Sequence, residues 1–296
     1  MTFKSALDID CGLRYMYETL EVMSPSGRKM LLSAPMMTAK VETDDYYCRL
    51  KEVYSKDCSK IAVKLMCLKD IETTLSRLDE GTVLDDIEFF EVKYLAIVST
   101  EVRALLEEIE LEAVKLPVLE DVVKVLDPDG LNIPSFYVYD SYSPELREIR
   151  RQMRALQGNG DDMTDEQRGE LAVLLQRNAE IELKVRMELS QRLRGRAADL
   201  KLALSNLSFL DILIAKAQQM RMMGLCFPNI NEGGDTAYCG MFNPAVKEVV
   251  AKQGREYMPV DISIEREPVT IIGANMGGKS VVLKSLALNQ LLAQFG

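Results

Sequence analysis

The sequence predicts a mainly α protein: a helical core, a long lever-like helix, and then the opening strand, glycine loop and helix of an α/β domain. Three observations carry that prediction. Apolar residues recur at three- and four-residue spacing through most of positions 1–115, where strand signals are few. No proline interrupts the stretch between Pro144 and Pro228. The chain then closes on "TIIGANMGGKSVVLKSLALNQLLAQFG", an apolar run, a glycine-rich turn and an apolar helix.

Within the first part, Tyr47, Leu50, Val53 and Tyr54 share one helical face, and Ile61, Leu65, Leu68, Ile71 and Leu75 continue the pattern. Positions 85–112 give a further helix before Pro117. "LDPDGLNIPSFYVYDSYSP" reads as a turn-rich connector with a short strand at Phe136–Tyr139. Ser143–Pro144 has the form of an N-cap followed by proline in the first turn, which starts a helix running to about Gln157. "GNGDD" ends it, and Thr164 with Gln167 makes a capping box for a much longer helix.

Leu189, Leu193, Ala197, Leu200, Leu204 and Leu207 then form a coiled-coil-like seam that continues through Leu210, Ile214 and Ala217. Unbroken from Thr164 to Met223, that arm would reach roughly 90 Å at the usual helical rise. Gly169 and Gly195 are the places where it would bend or break. After Gly224 the texture becomes turn-rich, and "MPVDISIEREPVTIIG" alternates like two strands around a turn at Glu265–Pro268. The domains expected are a helical core over 1–142, lever helices over 143–224, and the start of an α/β domain over 225–296.

Composition narrows the functional classes. The 296 residues are 47% hydrophobic, with no apolar run of membrane-spanning length and no secretory signal at the N-terminus. Six cysteines at 11, 48, 58, 67, 226 and 239 form no CxxC pair, and there is no histidine, so a mixed Cys/His zinc site is excluded. Free thiols in a reducing cytoplasm are expected. Net charge is −10, and the acidic excess lies in positions 1–140, which carry 16 basic and 27 acidic groups. Such a surface does not wrap nucleic acid, whose binding depends on phosphate neutralisation. Positions 143–224 carry 14 basic and 12 acidic groups, including the stripe Arg147, Arg150, Arg151 and Arg154. That stripe is the candidate DNA contact, and an ordinary solvated helix face is the alternative. The acidic run "LLEEIELEAVKL" is read as a solvated face, since no ligand spacing is present.

Gly273, Gly278, Lys279 and Ser280 fit G-x-x-x-x-G-K-[ST]. Glycines let backbone N–H groups converge on phosphate oxygens, the lysine reaches the terminal phosphates, and the serine hydroxyl serves magnesium. The helix that follows adds its unsatisfied N–H groups.

The loop "GANMGGKSV" resembles that of the MutS family of DNA mismatch-repair ATPases, whose pattern is G-P-N-M-G-G-K-S-T. Asn275 and Met276, followed by Gly277, make the likeness more specific than the generic consensus, while Ala274 and Val281 depart from the family's Pro and Thr. "LSFLDILIAKAQQMRMMGLCFPNI" is similar to the family's join between lever and ATPase, where Asp211 takes a packing or capping role. "EYMPVDISI" resembles the segment with the adenine-stacking aromatic, which implies that role for Tyr257, with plain core packing as the alternative. "MFNPAV" stands where the family has an Arg-His-Pro string. "SPSGRKMLLSAP" and "CLKDIETTLSRLDEGTVLDDIEFF" look like the helical core, and "YDSYSPELREIRRQMRAL" like the start of the lever in paralogues without a mismatch-reading domain.

The resemblance implies ATP and Mg²⁺ as cofactors of the intact protein, DNA as a partner, and a homodimer formed through the complete ATPase domain, with no membrane. "QGNGDDMT" is too short for the family's DNA clamp. Phe89–Phe90–Glu91 matches the mismatch wedge string but falls in a core helix, where its aromatics are expected to pack. The acidic strand and water-orienting group that hydrolysis requires are not found in the 16 residues after Ser280, so the chain as it stands is expected to bind without turnover. Two rivals remain: a chromosome-maintenance ATPase with helical arms, and a helical interaction scaffold with a vestigial loop.

Overall fold

The computed structural model describes every residue except Asn132, Pro134, 158–163, Arg266, Glu267 and 274–277. Among the described residues it is mainly α, with thirteen α-helices and one two-stranded sheet. None of these helices is long and apolar enough to cross a membrane. The chain divides into two compact units. One comprises Met1–Met66, Leu106–Val114 and Ser208–Gly296; the other comprises Cys67–Leu105 and Lys115–Leu207.

The first unit opens with α1 (Phe3–Ala6), α2 (Leu13–Glu18), α3 (Pro25–Ser33), α4 (Lys40–Ser55) and α5 (Ser59–Leu65). The periodicity read from the sequence is the buried face of α4 and α5: Tyr47, Leu50, Val53, Ile61 and Leu65 are all buried. In the second unit follow α6 (Glu72–Asp79) and α7 (Asp86–Glu108), the last turn of α7 from Leu106 being assigned to the first unit. Helix α7 stops short of the predicted 112 because Glu110 takes a left-handed φ of 51°. The Leu111 N–H then closes on the Leu106 carbonyl at 2.9 Å and Glu110 N–H on Glu107 at 3.2 Å, a Schellman ending made without glycine.

Helix α8 (Glu120–Leu126), a short 3₁₀ turn (Asp140–Tyr142) and α9 (Pro144–Gln157) come next. The strand expected at Phe136–Tyr139 does not form. Phe136, Val138 and Tyr139 are buried instead, with the Phe136 ring 4.9 Å from Phe89. These aromatics gain more by packing than an unpaired strand would offer. Phe89 is fully buried, as its place in a core helix requires.

Helix α9 begins where predicted, with Ser143 Oγ accepting the Leu146 N–H at 3.3 Å. The Thr164–Gln167 capping box is formed in both directions. The long arm is two helices, α10 (Asp165–Arg194) and α11 (Ala197–Met223), divided at Gly195. There the Arg196 N–H bonds to the Leu193 carbonyl at 2.8 Å, a tightening of the last turn. Every residue of the seam from Leu189 to Ala217 is buried. In α11, residues through Leu207 belong to the second unit and those from Ser208 to the first.

The remaining elements are β1 (Thr236–Met241), α12 (Pro244–Lys252), β2 (Val260–Ile264) and α13 (Lys279–Phe295). β1 lies in a stretch that reads as turns in the sequence. It pairs antiparallel with β2, Thr236 opposite Ile264 and Met241 opposite Val260, with an irregularity between Tyr238 and Met241 where Gly240 adopts φ 62°. The first of the two predicted strands is therefore β2. The second does not form: residues 268–273 belong to no strand and Ile272 is exposed. A strand needs a neighbour for its N–H and C=O groups, and no described strand lies beside this one.

Within the first unit, Phe3, Leu13, Met16, Val22 and Leu31 form a core with Ile212 and Ala215 of α11 and with Leu288, Leu291 and Phe295 of α13. The Phe3 ring meets Phe295 edge-on at 5.2 Å. The N-terminal helices thus bury one face of α13.

Candidate functional site

The two ends of α13 are treated oppositely. At the C-terminal end, the last four carbonyls would be orphans in an isolated helix, and here the fold supplies donors. Tyr47 Oη lies 3.2 Å from the carbonyls of both Leu292 and Ala293. The Met37 N–H reaches Gln294 O at 2.8 Å, and Lys216 Nζ reaches Phe295 O at 2.7 Å. Along the helix, Lys284 pairs with Asp10 at 2.6 Å, Asn289 donates to the Phe242 carbonyl at 3.2 Å, and Tyr238 donates to Gln290 at 2.9 Å. Buried Ser285 returns its hydroxyl to the Val281 carbonyl at 2.7 Å.

The N-terminal end differs. Gly278 is the N-cap residue at φ 82°, no side chain among the described residues caps the helix, and its first turn holds no acidic residue. A Cβ on Gly278 would meet nothing within 4 Å. Lys279 is half-buried and donates Nζ to the Gly273 carbonyl; Ser280 is exposed at the helix start. The start of a helix, with the positive end of its dipole, a lysine and a hydroxyl, is the kind of place where an anion binds. The residues present therefore fit a nucleotide phosphate. Asn275, Met276 and Gly277, also expected in the site, lie outside the described residues.

Tyr257 is half-buried, and its hydroxyl accepts the Asn243 N–H at 3.3 Å. Asn243 is a residue that sequence reasoning missed. It is buried, its Oδ1 accepts the Val246 N–H at 3.4 Å as the N-cap of α12, and its Nδ2 donates to the Cys11 carbonyl at 2.8 Å. The signal was present, since Asn243–Pro244 is a cap followed by proline at the first helical position. Asp211 is buried and holds the N-cap of α3, Ser24, taking the Ser24 N–H at 2.7 Å and the Met23 N–H at 3.1 Å, while Ser24 Oγ itself accepts the Gly27 N–H at 3.0 Å.

The arginine stripe on α9 is divided by its partners. Arg150 is committed inward, to the Val138 carbonyl at 2.7 Å, Asp140 at 2.6 Å, Glu182 at 2.8 Å and Asn178 at 3.3 Å. Burial opposes ionisation of Glu182, yet bonds from Arg150, Asn178 and Arg186 together hold its pKa below the ordinary value. Arg154 shares Asp140 at 3.3 Å. Arg151 grips Glu148 at 2.6 Å and, with Gln152, pulls that carboxyl down to about 2. Arg147 is exposed and makes no ion pair among the described residues. A groove of about 420 Å³ beside the stripe is lined by Tyr137, Asp129, Asp140, Arg150, Arg154 and others. Its mixed charge makes it a weaker phosphate track than the arginines alone would.

All six cysteines are free, and the described residues hold no group of three or more acidic or cysteine side chains able to bind a metal.

The described residues form a mainly helical protein whose first unit carries the Gly278–Lys279–Ser280 start of α13. No model of a protein family matches the chain. In sequence it is distantly and partially homologous to MutS and MutS2 proteins. It is 29% identical over 118 residues, 40% of its length, to the DNA mismatch repair protein MutS of Shouchella clausii (strain KSM-K16). It is 30% identical over 114 residues, 38% of its length, to Endonuclease MutS2 of Streptococcus pneumoniae (strain Hungary19A-6), and it matches that of strain CGSP14 to the same degree. The matched stretch spans 14% of each of these relatives' own length.

Proposed function

We propose that this chain is the core and lever of a MutS-like DNA-repair ATPase, in which nucleotide held at Gly273–Ser280 is coupled to engagement of DNA or of a partner protein. The observation that carries the reading is the asymmetry of α13. Its C-terminal carbonyls are satisfied by the core, while among the described residues no side chain caps its N-terminus at Gly278. The local similarity to MutS and MutS2 supports the same reading.

In this reading positions 1–142 are the core, 143–224 the lever, and 225–296 the nucleotide-binding part. ATP with Mg²⁺ is the cofactor, and magnesium neutralises phosphate charge when bound. Lys279 would release the Gly273 carbonyl to meet the terminal phosphates, and Ser280 would offer its hydroxyl to the metal. Gly273, Asn275, Met276, Gly277 and Gly278 would shape the cradle, with Tyr257 under the base. Arg147 is the member of the stripe best placed for a DNA phosphate, because Arg150, Arg151 and Arg154 already hold carboxylates. A second copy, joined through the ATPase domain, and a cytoplasmic location complete the proposal. It assigns binding to these residues and leaves hydrolysis outside them.

Titration with Mg-ATP, read by a fluorescent analogue and by calorimetry, tests it. Saturable binding lost in Lys279→Ala supports the reading. No binding at millimolar nucleotide favours a helical scaffold with a vestigial loop. Salt-dependent DNA binding, weakened by Arg147→Ala, tests the second half.

A further inference from the structure

The donor that closes the C-terminal end of α13 is a buried amine. Lys216 Nζ on α11 lies 2.7 Å from the Phe295 carbonyl and 2.8 Å from the Tyr46 hydroxyl, and 4.9 Å from the centroid of the Tyr46 ring. Lysines are seldom buried without a carboxylate. Among the described residues the groups that face it are uncharged. From α4 come Tyr46 and, edge-on to it at 5.8 Å, Tyr47. From α13 comes a carbonyl, and from α11 itself Phe209, edge-on to Tyr46 at 5.8 Å. Burial alone acts on the amine and pushes its pKa down to about 7, while it drives Tyr46 above the ordinary phenol range, so that its hydroxyl stays protonated.

We propose that Lys216 is a proton-dependent latch on the seat of α13, set by the three-part arrangement of the Tyr46 hydroxyl, the Lys216 amine and the Phe295 carbonyl. The neutral amine completes a chain: the Tyr46 hydroxyl donates to Nζ, and Nζ donates to Phe295. The ammonium has only donors, so it must bond to the oxygen of Tyr46, whose own proton is then left without an acceptor among the described residues. Protonation therefore places an unpaired charge and an unsatisfied hydroxyl at the foot of the helix that bears the glycine loop, and loosens it. The latch stands whether or not that loop binds nucleotide.

The direction with pH follows from linkage. The folded pKa lies below the ordinary 10.5. Between the two values the unfolded chain holds the extra proton, so stability rises with pH across that window, and the cost of the buried charge is fully present below about 7.

The test is a pH titration of the full chain carrying ¹³Cε-labelled lysine, followed by NMR. The expected result is one lysine resonance titrating near pH 7, absent from Lys216→Met, with amide exchange at residues 292–296 slowing above that midpoint. The denaturation midpoint should rise from pH 6.5 to 9 in the wild type relative to Lys216→Met. Lys216→Gln provides the resonance assignment should the methionine variant not fold. Titration of every lysine above pH 9, or persistence of the near-neutral resonance in the variant, overturns the latch.

Discussion

Asp211 on α11 accepts the Ser24 hydroxyl at 2.5 Å, joining residues 187 positions apart and fixing the N-cap residue of α3 from another helix. The contact is tight on every side: a Cβ on Gly27 would fall 2.8 Å from Asp211 Oδ2. Burial raises the Asp211 pKa above 3.8, although bonds from Ser24 and Met23 resist the shift. Asp211→Ala should cost about 1–3 kcal/mol in denaturant unfolding, because buried donors lose their acceptor. A raised carboxyl pKa contributes stability that is full below 3.8 and lost as pH rises through the folded value. The advantage of the wild type over Asp211→Asn should therefore shrink as pH rises above 3.8.

The second unit contains a buried ion pair, Lys93 Nζ to Asp127 Oδ2 at 3.3 Å, with each side chain 1% exposed. Asp127→Ala strands the ammonium and should destabilise by roughly 3–5 kcal/mol. The double change Lys93→Met, Asp127→Leu should recover most of that loss. A double change as harmful as the single one would show that the charges are needed for more than each other.

Tyr47→Phe keeps the ring and removes the hydroxyl that meets Leu292 and Ala293. A loss of about 0.5–1.5 kcal/mol is expected, with faster amide exchange confined to the C-terminal turn of α13.

How much of this was legible in the sequence depends on the reach of each interaction. The Thr164–Gln167 box and the Ser143–Pro144 start are local contacts, and the leucine seam is a local period; all appear where they were read. The glycine loop before α13 was read from its spacing, and its residues 274–277 lie outside the described residues. The strand β1 was not, because "TAYCGM" becomes a strand only by pairing with residues some twenty positions later. Val269–Ile272 fails for the converse reason, a strand pattern without a neighbour. Tyr47, Met37 and Lys216 close α13 from 79 or more positions away, and no spacing rule connects them. Arg150 shows the same limit: a stripe of arginines is legible, whereas Asp140 and Glu182, the distant carboxylates that occupy Arg150, are not.

That division gives a discriminating pair of variants. Arg150→Ala should destabilise the second unit, since Asp140, Glu182 and the Val138 carbonyl all lose a partner. Arg147→Ala should change stability by less than about 0.5 kcal/mol, as expected for an exposed site. If the stripe meets DNA, Arg147→Ala should lower the slope of log affinity against log salt by about 1. Equal effects of the two variants on stability would remove the distinction.

If the N-terminal end of α13 holds nucleotide phosphate, as proposed, Gly278→Ala is the sharpest probe of its geometry. A Cβ there meets no atom of the described residues within 4 Å, so the substitution acts through φ 82° and should cost about 1 kcal/mol. The most direct measurement is calorimetric titration of the chain with Mg-ATP, beside Lys279→Ala. Saturable binding that disappears in the variant is the predicted result. Binding of equal strength in the variant, or none at millimolar nucleotide, would contradict it.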